Sequence, residues 1–120
     1  MKFITIDGDD VGRKITSSYL RNDLKELNYV NFLVKEKTEL IANFLKDMGF
    51  IVIFCAADGV AGYSENDEVN GDFIYNRILS IAGEDMSFSA GLGDDLRESY
   101  IALLSAKSAG KSRLHKFSEI

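Results

Sequence analysis

The sequence predicts an α+β domain in which a mainly antiparallel sheet carries helices on one face. Three observations point there. An apolar run, KFITID, ends in a cluster of acids at the front of the chain; an Asp-Gly pair between apolar neighbours marks a hairpin in mid-chain; and segments of helical apolar spacing separate the strand-like runs.

The first strand is residues 2–7. Ile15, Tyr19, Leu20, Leu24 and Leu27 recur at helical spacing after it, and Leu40, Ile41, Phe44, Leu45 and Met48 mark a second helix that stops before Gly49. Phe50 to Cys55 is a continuous apolar run of strand length, and Asp58-Gly59 reverses the chain through a two-residue turn with positive φ. The stripe Phe73, Ile74, Ile78 and Ile81 predicts a helix over residues 69–82. Met86, Phe88, Ala90 and Leu92 alternate with small or polar residues, the pattern of a half-buried strand. Asp95 and Glu98 form a capping box opening a helix that runs through AKSA to Gly110. SRLHKF closes the chain as a last strand. The order βααββαβαβ is a ferredoxin-like core with an extra helix after the first strand.

The 120 residues suffice for one compact domain, 1–120, with one core. Hydrophobic residues make up 46% and charged residues 28%, an ordinary globular balance, and the net charge of -5 argues against a nucleic-acid scaffold, which needs a basic surface. No apolar stretch approaches the roughly 20 residues of a membrane span, and MKFITID lacks the shape of a signal peptide, so the expected location is the cytoplasm, without direct membrane binding. The single cysteine, Cys55, excludes an internal disulfide and reads as a small buried hydrophobe; the single histidine, His115, has no visible metal-ligand partner.

Two constellations carry chemistry. In a ferredoxin-like order the first strand and the hairpin are neighbours at the sheet centre, so Asp7 and Asp58 meet at one edge although fifty residues separate them. Converging carboxylates repel unless a cation sits between them, and an oxygen-only ligand set favours Mg²⁺ or Mn²⁺ over zinc. Taken singly, Asp58 reads as a turn residue and Asp9-Asp10 as a helix cap; the acids and the element order together favour the metal. The second constellation is SAKSAGKSR, residues 105–113. Lys107 ends a core-facing stripe with its ammonium free to emerge at the helix end, and Lys111 follows Gly110 at the start of the last strand. Two ammonium groups beside an acid cluster suit a triphosphate, although cations in a last helical turn also complement the helix dipole. Backbone amides of Asp10, Val11 and Gly12, at the start of the helix after the first strand, suit phosphate oxygens.

The frame DGDDVG, the hairpin AADG and the closing SFSAGLGDDLRESYIALLSAKSAGKSRL together resemble the palm domain shared by GGDEF diguanylate cyclases and the polymerase-like subunit of type III CRISPR complexes. Because the chain is little more than that palm, it most resembles the minimal CRISPR polymerase family, stand-alone makers of cyclic dinucleotides in anti-phage defence. The resemblance implies that Asp7 binds two metal ions, that Gly8 offers its carbonyl, and that Asp58 completes the site. It also implies that Lys107 and Lys111 hold the triphosphate and that Ser89, Gly91 and Gly93 match an SxGxG segment. It further implies a cyclic dinucleotide synthase using two Mg²⁺ or Mn²⁺ ions, with a separate membrane effector sensing the product; because so small a chain has one site and the product two phosphodiester bonds, two chains are expected to face each other as a homodimer. The hairpin departs from the family pattern: Ala56 and Ala57 replace paired glycines, and Gly59 replaces an acid, so Asp9 or Asp10 would have to help hold the second ion. No counterparts of the guanine-reading Asn and Asp of diguanylate cyclases lie between Ile15 and Leu27, which favours ATP and cyclic di-AMP. Two other readings stay open: a phosphoacceptor receiver domain, which shares the length, the early acid pair, a mid-chain Asp and a late Lys, and a degenerate palm that binds nucleotide without turnover. A receiver wants its mid-chain Asp at a strand end and its Lys ending a strand.

Overall fold

The computed structural model describes residues 1–120. The elements are β1 (Lys2–Gly8), α1 (Val11–Leu20), α2 (Leu24–Asp47), β2 (Ile51–Ala56), β3 (Gly59–Ser64), α3 (Gly71–Ala82), β4 (Phe88–Gly93), α4 (Leu96–Ser108) and β5 (Leu114–Lys116), followed by a 3₁₀ turn over Phe117–Glu119. The strands form one sheet in the order β2-β3-β1-β4-β5. Every neighbouring pair is antiparallel except β4 and β5, which run parallel. The α+β class and the mainly antiparallel sheet are therefore as the sequence predicts.

The layering departs from the expectation of helices on one face. Side chains alternate along a strand, so Ile4 and Ile6 of β1 point one way and Phe3, Thr5 and Asp7 the other. Ile4, Ile6, Val60, Ala90 and Leu92 join the core built from Val30, Val34, Ile41 and Leu45 of α2 and Ile74 and Ile78 of α3. On the opposite face Thr5 Oγ1 lies 2.8 Å from Ser99 Oγ of α4. Small residues explain that second layer: a Cβ on Gly91 would fall 2.1 Å from the Ser99 carbonyl oxygen, so only glycine lets α4 lie that close. With helices on both faces, every residue of β4 is buried. The half-buried strand expected from its alternation is thus buried throughout.

The chain also breaks where the apolar spacing ran on. Arg21-Asn22-Asp23 separates α1 from α2, with Asn22 in a left-handed conformation (φ 51°) that asparagine tolerates. Asp23 then caps α2 by accepting from the Glu26 N–H at 3.0 Å. Tyr19, Leu20 and Leu24 consequently face solvent, and the buried stripe of α2 is Val30, Val34, Thr38, Ile41 and Leu45. The expected second helix, 40–48, is the end of this longer one. From Ile51 on, the apolar run lies on an edge strand, so Ile51, Ile53 and Phe54 are exposed and Cys55 is exposed rather than buried, while Phe50 just before it joins the core. No helix is long and apolar enough to cross a membrane.

Candidate active site

The end of β1 and the tip of the β2–β3 hairpin form one site. Asp7 pairs in register with Gly59, and the Gly8 N–H donates to the Asp58 carbonyl at 2.9 Å. The two turn residues are Ala57, left-handed at φ 52°, and Asp58; Gly59 already belongs to β3. The turn therefore sits one residue earlier than the Asp-Gly pair suggests, and Asp58 rides at the tip. Gly8 has to be small: a Cβ there would stand 2.9 Å from Val11 Cγ2 and 3.2 Å from Asp58 Cβ. Glycine at this position lets the hairpin acid approach the end of β1.

The proximity of the two acids has an electrostatic signature. Burial, and then the negative charge of Asp7, push the Asp58 carboxyl above the ordinary carboxylate range. Lys107 arrives from α4 on the same side. Its ammonium lies 3.0 Å from Asp7 Oδ2 and 3.1 Å from Asp9 Oδ1, and donates to the Gly8 carbonyl at 3.0 Å. Burial alone would lower the Lys107 pKa; the Asp7 and Asp9 carboxylates outweigh it and hold the group charged.

Asp9 is a different kind of acid. Its side chain is 2% exposed. Ser87 and Ser89 hydroxyls each donate to it at 2.7 Å, the Ser112 N–H donates at 3.0 Å, and Lys107 supplies the fourth contact. A carboxylate offers about four acceptor positions, so Asp9 is saturated by protein donors. Burial raises its pKa, but these hydrogen bonds prevail and the net shift is downward. Asp9 thus ties the end of β1 to β4, α4 and the loop before β5, rather than presenting a free oxygen beside Asp7.

Asp10, Val11 and Gly12 open α1. Asp10 is the N-cap residue in a left-handed conformation (φ 60°), and no side chain caps the helix. Its carboxylate instead meets Lys111 Nζ at 2.6 Å. The start of α1 is thus left without a side-chain cap, its backbone N–H groups open to an anion, while the Asp10–Lys111 pair neutralises itself. Lys111 does not open a strand: Gly110, Lys111 and Ser112 are consecutive left-handed residues (φ 123°, 66° and 49°) ahead of β5. Of the SxGxG segment, Ser89 bonds Asp9, while Gly91 and Gly93 face α4. His115 Nδ1 pairs with Ser105 Oγ at 2.9 Å, away from the acids.

The residues fit a divalent ion. Asp7, Asp58 and the Gly8 carbonyl form an all-oxygen set, and no third His, Cys, Asp or Glu side chain joins them. Mg²⁺ is commonly held by one or two carboxylates, with substrate phosphates and water completing the shell. Sequence reasoning did not single out Ser87 and Ser112, both of which donate to Asp9. It also passed over Phe54 and Tyr100, which line a cleft of about 330 Å³ with Asp7, Asp58, Leu104 and Lys107.

This sheet order, with the acid at the end of β1 beside an acid-bearing hairpin, is that of a palm domain. The chain belongs to a particular branch of it: residues 3–117 match the minimal CRISPR polymerase domain family. No curated protein matches. Among solved structures it is similar to the active GGEEF domain of a diguanylate cyclase from Vibrio cholerae, at 16% identity and TM-score 0.70, over 97% of this chain and 81% of that one. It is also similar to the GGDEF domain of DgcB from Caulobacter crescentus, described in complex with c-di-GMP, at 9% identity and TM-score 0.74, over 98% of this chain and 77% of that one. An EAL/GGDEF domain protein from M. capsulatus aligns at 21% identity and TM-score 0.66, over 97% and 83%. At these identities the likeness is one of fold.

Proposed function

We propose that this protein is a metal-dependent nucleotidyltransferase that joins two nucleoside triphosphates, ATP preferred, into a cyclic dinucleotide serving as an anti-phage signal. The observation that carries the reading is the convergence of Asp7 and Asp58, from distant parts of the chain, on one side of Lys107 and beside the open start of α1. In each of two steps a ribose hydroxyl oxygen of one nucleotide attacks the α-phosphorus of the other. The α–β anhydride bond breaks, pyrophosphate leaves with its electron pair, and the hydroxyl proton passes to solvent. Two such steps close the ring and release two pyrophosphates.

Asp7, Asp58 and the Gly8 carbonyl would hold Mg²⁺ or Mn²⁺, two ions by family resemblance. Bound there, the ions supply positive charge that favours ionisation of the attacking hydroxyl and departure of pyrophosphate. The protein's own part is positional. Lys107 and Lys111 place ammonium groups for the triphosphate, and the amides of Asp10 to Gly12 offer donors to its oxygens. Lys107 already contacts Asp7 and Gly8, so it sits where it can pass from carboxylate to phosphate oxygens as charge arrives. A receiver domain is disfavoured by position: Asp58 rides a hairpin tip and Lys107 lies inside α4. The product would be sensed by a separate membrane effector.

Incubating the protein with each NTP and Mg²⁺ or Mn²⁺, and reading products by mass, tests this directly. A cyclic dinucleotide with released pyrophosphate is expected, highest with ATP. Metal-dependent nucleotide binding without any product would identify the degenerate palm, and phosphorylation of Asp58 by acetyl phosphate would identify a receiver.

A further inference from the structure

Lys107 stands on oxygens that the candidate metal set also needs. Its ammonium lies 3.0 Å from Asp7 Oδ2, donates to the Gly8 carbonyl at 3.0 Å, and donates to Asp9 Oδ1 at 3.1 Å. An ammonium carries three donors and no acceptor, so these three protein oxygens match its capacity in full. Two of them, on Asp7 and Gly8, belong to the metal set; Asp9 does not. Lys111 is placed differently: it pairs with Asp10 instead, at 2.6 Å. Asp58, the other carboxylate of the set, makes no ion pair.

A divalent ion and an ammonium that share Asp7 and Gly8 are neighbours of like sign, and each weakens the other's hold on the same oxygens. The ion gains something that the ammonium does not: it joins Asp58 to Asp7 and neutralises both carboxylates together. Lys107, once displaced, still has Asp9, whose remaining contacts are the Ser87 and Ser89 hydroxyls and the Ser112 N–H. That buried acid keeps the ammonium at the site on its flexible stem, with two donors released. Resting on the nucleotidyltransferase reading, we propose that Lys107 competes with the divalent ion for Asp7 and Gly8, and that the ion's arrival, by returning Lys107 to Asp9 alone, frees its donors for the triphosphate. Ion and triphosphate are then coupled through one side chain, and the coupling is reciprocal: a triphosphate that draws Lys107 away raises the affinity for the ion by the same factor. Lys111, which is not committed to the metal oxygens, is the cation open to a triphosphate with or without the ion.

Mn²⁺ titration of the whole, nucleotide-free protein, followed by electron paramagnetic resonance, reads the competition. Lys107→Met should bind Mn²⁺ about tenfold more tightly than wild type. Lys111→Met removes the same charge from a residue paired elsewhere and more open to solvent, and should stay within about threefold of wild type. Calorimetric titration with inorganic tripolyphosphate reads the release of the lysine. Lys107→Met should weaken that binding about tenfold or more in Mg²⁺ but only within about twofold in EDTA, whereas Lys111→Met should weaken it in both. A third readout needs no variant and so survives a folding defect in Lys107→Met: in wild type, the Cε resonance of Lys107 should shift on addition of Mg²⁺ without nucleotide, while that of Lys111 holds. The proposal is overturned if Lys107→Met leaves Mn²⁺ affinity unchanged or lowers it, or if both lysine variants tighten Mn²⁺ equally, which would make net charge alone the cause. It is also overturned if Lys107→Met weakens tripolyphosphate equally with and without Mg²⁺, or if the Lys107 resonance does not respond to Mg²⁺. Failure of wild type and both variants to take up Mn²⁺ would strike the metal site itself, and with it the nucleotidyltransferase reading.

Discussion

At the scale of single residues, the acids after β1 divide into unlike roles that their spacing does not distinguish. Asp7 and Asp58 are partly open and mutually repulsive, whereas Asp9 is buried and fully bonded. Asp9→Asn puts an amide donor among the donors of Ser87, Ser89 and Ser112 and leaves Lys107 short of one counter-charge. Breaking a buried ion pair in this way costs about 3–5 kcal/mol, read as a lowered urea midpoint at neutral pH. The pH dependence follows from the direction of the shift. The Asp9 pKa is lower folded than unfolded, so its contribution is present above the unfolded value near 3.8 and fades as pH falls through the folded one. Wild type and Asp9→Asn should therefore differ most at neutral pH and converge in acid. Asp58 has the opposite sign: its pKa is raised on folding, so its contribution declines as pH climbs from the unfolded value through the raised one. A difference between wild type and Asp9→Asn that grows on acidification would contradict the assignment.

At the scale of elements, glycines decide how closely α4 can approach the sheet. Gly91→Ala sets a methyl against the α4 backbone, where neither side can yield cheaply. The loss should reach or exceed the upper end of the roughly 1–3 kcal/mol typical of overpacking. Gly12→Ala, at the start of α1 with open space around it, should instead raise stability by roughly 0.5–1 kcal/mol. Urea denaturation of the two variants separates a packing glycine from a merely permissive one. Much of this architecture was legible in the sequence, because period-two and helical apolar patterns report burial and the Asp-Gly pair reports a reversal. The meeting of the first strand with an acid-bearing hairpin followed from that. Three features were not legible for a physical reason. The glycine spacing in SAGLG looks like a half-polar strand until a helix is laid on it. Tyr19, Leu20 and Leu24 imitate a core stripe while facing water, the true signal being Asn22 followed by the Asp23 and Glu26 cap. An edge strand with exposed Ile51, Ile53 and Phe54 has the same composition as a central one.

At the scale of the whole molecule, one palm offers one carboxylate pair, and a cyclic dinucleotide needs two phosphodiester bonds. Two sites facing each other across a two-fold axis satisfy that need with a single kind of chain. The contact could be stabilised by nucleotide bound at the interface. Specific activity should then rise with protein concentration in the dilute range, and Asp7→Asn mixed with wild type should suppress activity beyond simple dilution. Activity per subunit that stays flat where sedimentation shows only monomer would rule the facing pair out. The claim on which all of this depends is that Asp7 and Asp58 form one divalent-metal site for a nucleotide. Titration of Mn²⁺ into nucleotide-free protein, followed by electron paramagnetic resonance on wild type, Asp7→Asn and Asp58→Asn, tests it most directly. Wild type should take Mn²⁺ out of the free pool, and each variant should bind it at least about tenfold more weakly, as loss of a carboxylate ligand worth 1.4 kcal/mol or more requires, with unchanged circular dichroism. Equal Mn²⁺ binding by all three proteins would contradict the account.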